Sequence, residues 1–399
     1  MQSEKLWTKD FIGTCLSSLF LFLTFYVLIT TLPIYVIEGL NGRPEEIGLV
    51  TTVFLISSVL ARPFTGKWLD DLGRKKILFI SLSLFLAATI MYFGAQSLFL
   101  LLALRFLHGI GFGMATTATG TIVTDIAPSN RRGEALSYFG VFMSLPMVIG
   151  PFLGLTIISH YSFSTLFIIC SIFSLLAFIC GLFVNIPHEA PVKRQKEEKM
   201  NWKDLFETSS MPIAFTSFIL AFAYSGILSF IPIHAKQLGL EHVASYFFIV
   251  YALVVVISRP FTGKMFDRLG ENALVYPAII VFTIGMFLLS QAETAFWLLA
   301  SGVFIGLGYG TLVPSFQTIA ISAAPNHRRG AATATYYSFF DSGIGIGSFV
   351  LGIIAARSSY SYMYIIATIV IATTLLLYFV LHGRKQKSKK QSADKQLSA

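Results

Sequence analysis

Charge is what this sequence has least of. Asp, Glu, Lys and Arg make up 12% of its 399 residues, about half the roughly 25% carried by ordinary soluble domains. A soluble chain of this length would bury a large core, yet it would still need a charged skin. With 55% hydrophobic residues there is too little charge to make one, and lipid is the solvent that the composition implies. Cysteine is nearly as scarce. Cys15, Cys170 and Cys180 each fall inside an apolar stretch, which excludes a disulfide framework and a CxxC metal site and leaves them as small buried hydrophobes. Missing too are a Walker loop, a Gly-rich dinucleotide turn, HExxH, GxSxG and a pair of catalytic carboxylates. No soluble domain is large enough to hydrolyse a nucleotide, so neither an enzyme nor a cofactor or metal site is expected. The net charge of +9 does not restore a nucleic-acid partner. The basic residues sit in short clusters between apolar runs, which is the pattern of membrane topology.

What the chain has instead is apolar length. A bilayer core of about 30 Å takes about 20 apolar residues per helix. Twelve segments meet that test, at about 11–36, 47–68, 75–94, 97–124, 133–158, 162–185, 211–235, 243–264, 272–291, 294–321, 330–356 and 361–381. The first run, from Phe11 to about Tyr35, follows Lys5 and Lys9. It is too long for a signal-peptide core and no small-x-small cleavage site follows it, so it reads as an uncleaved span. Between the sixth and seventh spans lies a long polar stretch containing Lys193-Arg194-Gln195-Lys196-Glu197-Glu198-Lys199. It divides the chain into an N-terminal six-helix bundle (1–187), a linker (188–210), a C-terminal six-helix bundle (211–383) and a basic tail (384–399). The end of the linker, with Trp202, Leu205 and Phe206, reads either as a short interfacial helix or as a solvated loop. Of the 29 Lys and Arg, Arg43, Lys236 and Arg357 fall on one side of the membrane, and Arg62, Arg105 and Arg259 within spans. All the others share the side of the N-terminus, which predicts a multi-pass protein of the cell membrane with both termini cytoplasmic.

The two halves repeat. Arg62-Pro-Phe-Thr-Gly-Lys-Trp-Leu-Asp-Asp-Leu-Gly73 aligns with Arg259-Pro-Phe-Thr-Gly-Lys-Met-Phe-Asp-Arg-Leu-Gly270 at an offset of 197. The same offset carries Gly109, Gly111 and Gly113 onto Gly306, Gly308 and Gly310, and Arg131-Arg132-Gly133 onto Arg328-Arg329-Gly330. The expected fold is therefore all-α: twelve transmembrane helices in two pseudo-symmetric six-helix bundles, parallel repeats about an axis along the membrane normal.

Gly66-Lys-Trp-Leu-Asp70-Asp-Leu-Gly73-Arg74-Lys75-Lys76 resembles the signature loop between spans two and three of the major facilitator superfamily. The resemblance covers the whole chain through its twelve-span layout. Leu101-x-x-x-Arg105-x-x-His108-Gly109 is similar to the family's proton-linked motif, with His where Gln is usual. Gly150-Pro151-Phe-Leu-Gly154 resembles the antiporter motif, with Leu155 in place of the last Gly and Pro146 in place of an upstream Gly. Among subfamilies the chain looks most like the twelve-span drug:proton antiporters.

That resemblance implies a cytoplasmic gate built on Gly66, Asp70, Gly73 and Arg74, with Asp70 meeting the start of span eleven. A carboxylate there is favoured by the positive end of the helix dipole. Arg328 and Arg329 are candidates to complete the cluster, and Asp267 with Arg131 and Arg132 is the mirrored set; Glu271 stands where Arg74 would. The other reading makes these charges purely topological. Asp341 is the one carboxylate deep in a span, about 18 Å along a helix from Arg329. It is a candidate proton site, a counter-charge for a cationic substrate, or a packing Asp bonded to Ser338 or Ser342. Arg105 is costly inside a span without a cavity or partner; the resemblance gives it a part in proton coupling, and a structural hydrogen-bonding role is the alternative. His108 either titrates or packs as a hydrogen-bonded residue. Gly150, Pro151 and Gly154 would bend and seal a leak path, or simply pack helices. Spans 1, 4, 7 and 10 line the cavity of such a fold, with 2, 5, 8 and 11 at its sides. The candidate lining is Phe25, Tyr26, Thr30, Thr116, Tyr138, Met143, Tyr224, Tyr251, Gln317 and Tyr337, broad apolar contacts suited to a loosely defined hydrophobic substrate.

The expected function is secondary active transport: export of small organic or drug-like molecules by a monomer in the bilayer, driven by protons through alternating access. The alternatives are a dedicated exporter of one metabolite (a sugar, a metal-chelating metabolite or a lipid precursor) and a non-transporting membrane sensor.

Overall fold

The computed structural model describes residues 5–42, 46–186 and 205–384. Among them are twelve helices long and apolar enough to cross a membrane, and no strand. They are α1 (Lys9–Glu38), α2 (Ile47–Leu72), α3 (Arg74–Ile90), α4 (Leu98–Ile126), α5 (Arg132–His160), α6 (Phe163–Leu182), α7 (Met211–Gln237), α8 (Glu241–Leu269), α9 (Glu271–Ser290), α10 (Ala295–Ser322), α11 (Arg329–Arg357) and α12 (Tyr360–Tyr378). The expected interfacial helix around Trp202 and the basic tail beyond Arg384 lie outside the described residues.

Local chemistry sets the helix ends. Thr8, Ser97, Ser162 and Ser359 each stand in extended backbone just before a helix, and each side-chain oxygen accepts a first-turn N–H, which satisfies a donor that the helix itself leaves open. One residue, Gly73, turns α2 into α3 with φ 94°, and Gly270 turns α8 into α9 with φ 86°. A residue with a Cβ is strained there, so the repeated Leu-Gly pair marks the same corner in both halves.

The helices fall into two compact units. Of the described residues, the first holds those up to 207 together with 324–338, and the second those from 208 to 323 with 339–384; α11 begins in the first and continues into the second. Within the first unit α4 packs on α2 and α3. A Cβ at Gly111 would stand 2.9 Å from the backbone N of Phe85, and one at Gly109 would overlap the Phe54 carbonyl. Within the second, α10 packs the same way: a Cβ at Gly308 would stand 2.6 Å from the N of Phe282, and one at Gly306 2.8 Å from the Tyr251 carbonyl. Phe85 and Phe282, and Phe54 and Tyr251, are themselves separated by 197 positions. The duplication preserved contacting pairs of positions, as close backbone approach through small residues requires.

The apolar core of the first unit centres on Phe25, Phe54, Phe85 and Phe112, with the Phe25 and Phe112 rings stacked at 4.9 Å. In the second unit α7 buries His234 beside the rings of Tyr360 and Tyr364.

Candidate functional site

At the corner between α2 and α3 the first unit gathers its charges. Asp70, in the last turn of α2, accepts the backbone N–H of Gly330 at Oδ1 and that of Ala331 at Oδ2, both at 3.0 Å. These are first-turn amides of α11, which have no partner inside the helix, and the helix dipole adds to the attraction. The carboxylate reaches them because α2 and α11 touch: a Cβ at Gly66 would lie 2.6 Å from that of Ala334, and one at Gly330 2.6 Å from the Gly66 carbonyl.

Arg74, placed by the turn at Gly73, bridges outward from this contact. Its guanidinium lies 3.2 Å from Asp70, donates to the Leu69 carbonyl and pairs through Nε with Asp125 Oδ2 at 3.0 Å. Arg329 pairs with the other oxygen of Asp125 at 2.9 Å and with Asn326 Oδ1 at 2.6 Å. Asp125, at the end of α4, therefore ties together two arginines that are far apart in sequence. Arg132, at the start of α5, is close enough to feel both Asp125 and Arg329. Arg131 pairs with Glu134 at 2.7 Å. Arg328 turns to Glu207, at the end of the linker, and to the Phe206 carbonyl, while Thr335 accepts the Glu207 N–H. Asp267 stands exposed in the last turn of α8, in the second unit.

Deeper in the first unit, Arg62 is buried. It donates to the hydroxyls of Thr116 (3.0 Å) and Thr117 (3.2 Å), and its guanidinium carbon lies 4.8 Å from the ring centroid of Tyr337. Two of the expected cavity residues, Thr116 and Tyr337, are thus brought together by a cation. Arg105 is fully buried; its Nε donates to the Val50 carbonyl at 3.0 Å and its head lies 4.1 Å from the Phe54 ring centroid. Among the described residues no carboxylate pairs with it. His108 is fully buried too, with Nε2 3.1 Å from the Thr89 hydroxyl and Nδ1 3.0 Å from that of Tyr92. Thr89 donates its own proton to the Phe85 carbonyl, so Nε2 is the donor to Thr89.

Asp341 is half-buried in the middle of α11. The hydroxyl of Ser338, one turn away, is buried without a hydrogen-bond partner among the described residues, so of the two serines that the packing reading names, Ser338 is not the one bonded to Asp341. In the second unit Tyr224 donates to the Tyr251 hydroxyl at 3.0 Å and stacks on Tyr309 at 3.6 Å; all three are buried, as is Gln317. Phe25 belongs to the core stack described above. Tyr138 packs edge-on against Trp7, and it and Met143 lean on the cluster around Leu6 and Phe11, near the start of α1 rather than at mid-span.

Pro146 and Pro151 stand inside α5, which remains one continuous helix. Gly150 and Gly154 seat it on α1: a Cβ at Gly150 would lie 2.5 Å from that of Tyr26, and one at Gly154 2.8 Å from Thr31 Cγ2. Thr30 hydrogen-bonds the Tyr26 carbonyl on the same α1 segment. Gly154→Val should therefore push α1 and α5 apart and cost about 1–3 kcal/mol of stability, read as a lower unfolding temperature. An unchanged temperature would mean that the contact yields freely.

Sequence reasoning passed over Asp125, Glu207, Thr89, Tyr92 and Tyr309. The offset of 197 carried a signal for three of them. It maps Asp125 to Ser322, Thr89 to Met286 and Tyr92 to Leu289, just as it maps Arg105 to Gly302 and His108 to Ile305. Polar groups that one half buries and the other replaces are specialised to their half.

The comparisons with known proteins agree with this architecture. Residues 14–348 match the model of the Major Facilitator Superfamily. The uncharacterized MFS-type transporter MJ1560 of Methanocaldococcus jannaschii is 26% identical over 82% of this chain and 86% of its own length. Multidrug resistance protein MdtG of Yersinia enterocolitica is 24% identical over 97% and 96%, and multidrug resistance protein 2 of Bacillus subtilis 25% identical over 78% and 81%. Among solved structures, that of the human organic anion transporter MFSD10 (TETRAN) superposes with a TM-score of 0.81 at 16% identity, over 92% of this chain and 98% of that one. That likeness speaks to the fold alone. With twelve spans, a repeated signature loop and a family model that matches most of its length, this chain belongs to the Major Facilitator Superfamily of membrane transporters.

Proposed function

We propose that the protein exports small organic, drug-like molecules across the cell membrane, with both termini cytoplasmic, and that inward proton flow drives the export. The observation that carries this reading is Asp341, half-buried at mid-helix in α11, where a carboxylate is costly unless it has work to do. The charge cluster supports alternating access. A carboxylate on helix-terminal amides, backed by Arg74, Asp125 and Arg329, is strong enough to hold one side shut, yet it consists of polar groups that water can re-solvate when that side opens. The names of relatives matched over most of this chain, multidrug resistance proteins, favour a broad substrate range. Buried aromatic residues such as Tyr224, Tyr251 and Tyr309 supply adaptable contact area for it.

One observation favours a second reading, a dedicated exporter of a single anionic metabolite. Arg105 is fully buried and has no carboxylate partner among the described residues, and an unneutralised guanidinium attracts an anion. Proteoliposomes holding the full chain and an internal pH dye separate the readings. Proton movement coupled to several unrelated hydrophobic cations supports broad export. Proton movement coupled to one organic anion alone supports the second reading. Downhill substrate movement with no proton movement would overturn both in favour of a uniporter.

A further inference from the structure

The offset of 197 places the start of α3 and the end of α6 against the start of α9 and the end of α12, and the two corners differ. In the second unit the corner is filled. Tyr378 packs edge-on against Tyr276 at 5.2 Å and donates to Asn272 Oδ1 at 2.9 Å, while Asn272 donates in turn to the Gly383 carbonyl. In the first unit the position of Tyr378 is taken by Gly181, that of Asn272 by Lys75, and that of Ala273 by Lys76. The tyrosine of one corner is a glycine in the other, where a Cβ would already overlap Leu82 Cδ1. Beside that contact is a cleft of about 340 Å³ lined by Lys75, Lys76, Phe79, Leu82, Phe178, Gly181 and Leu182.

The chemistry of this cleft is divided. Its walls are almost wholly apolar, with the Phe79 and Phe178 rings 5.5 Å apart. Its mouth carries two exposed ammonium groups that no carboxylate pairs with among the described residues. From Lys76 to Leu82 the cleft runs about 9 Å along α3, more than half the roughly 15 Å of one leaflet's hydrocarbon. Basic pockets between spanning helices at the membrane surface hold anionic lipid head groups. We propose that this cleft binds one anionic phospholipid, with its phosphate on Lys75 and Lys76 and the first part of an acyl chain along Phe79, Leu82 and Phe178. A free phosphate ion would find the same two cations but would gain nothing from the apolar walls. The charge and the cleft together select a lipid.

Native mass spectrometry of the full chain, titrated with phosphatidylglycerol or with phosphatidylcholine, tests this. One phosphatidylglycerol should be retained with at least tenfold preference over phosphatidylcholine, and 10 mM inorganic phosphate should not displace it. Lys75→Gln with Lys76→Gln should reduce that preference at least tenfold. Lys264→Gln with Arg268→Gln, which removes two exposed cations at the end of α8, should leave it intact. Unfolding temperatures in phosphatidylcholine report whether each variant folds, and the lipid preference and phosphate competition of the natural protein stand without them. Equal retention of the two lipids, displacement by phosphate, or the same preference in all folded variants would overturn the proposal.

Discussion

Asp70→Asn should speed hydrogen exchange at the Gly330 and Ala331 amides about 100-fold and cut transport at least tenfold. Both amides belong to the first turn of α11, so their protection depends on the Asp70 carboxylate and not on the helix ladder. Asparagine keeps the shape but turns one acceptor oxygen into a donor NH2 and removes the charge that Arg74 faces. A hydrogen bond to a charged group contributes about 1.5–3 kcal/mol, so losing one and weakening a second is worth about 3 kcal/mol. That is a shift of about 100-fold in the balance between closed and open gate. A transporter held mostly open on one side turns over slowly, because every cycle must pass through the state that the mutation makes rare. Exchange and transport both left unchanged would sink the gating role.

Asp341→Asn should abolish proton-driven accumulation, at least tenfold below the natural protein, while substrate counterflow in the absence of a proton gradient persists. The asparagine keeps size and hydrogen-bonding capacity but cannot bind and release a proton at ordinary pH. If the carboxylate is the coupling site, the downhill exchange of substrate survives and only the coupling is lost. Asp341→Glu, which restores the titration one methylene further out, should recover part of the accumulation. A packing role predicts the reverse, a lower unfolding temperature with coupling retained. Accumulation in Asp341→Asn equal to that of the natural protein would remove the carboxylate from the coupling reaction.

The fold was legible because membrane spans leave a coarse signal. Apolar runs of about 20 residues gave all twelve helices to within a few positions, and the offset of 197 gave the internal repeat together with its packing glycines. The site was legible where a motif resembled a family signature, as at Asp70, or where a residue's chemistry is costly at its place in the chain, as for Arg105 and Asp341. Asp125 did not stand out: an acid at a helix end is commonplace in sequence, and its importance lies in the two arginines that the fold brings to it. The partners of His108 were hidden for a related reason. Thr89 and Tyr92 come from neighbouring α3 and the turn after it, and nothing in their spacing separates them from the many hydroxyls that serve their own helix. Arg62 is held in place by two threonines of α4, since a guanidinium with such acceptors at hand has no need to reach water.

Between Gly330 and Asp341, α11 contains neither glycine nor proline and runs as unbroken helix. The amides that Asp70 grips and the carboxylate proposed to take up a proton therefore belong to one helix. On that reading the two events are linked, and linkage between binding equilibria works equally in both directions. Whatever factor protonation of Asp341 applies to the grip on Gly330 and Ala331, the grip must apply to the proton affinity of Asp341. Weakening the gate would then do more than leave a door ajar: it would change how readily a proton is exchanged by a residue eleven positions further along the same helix.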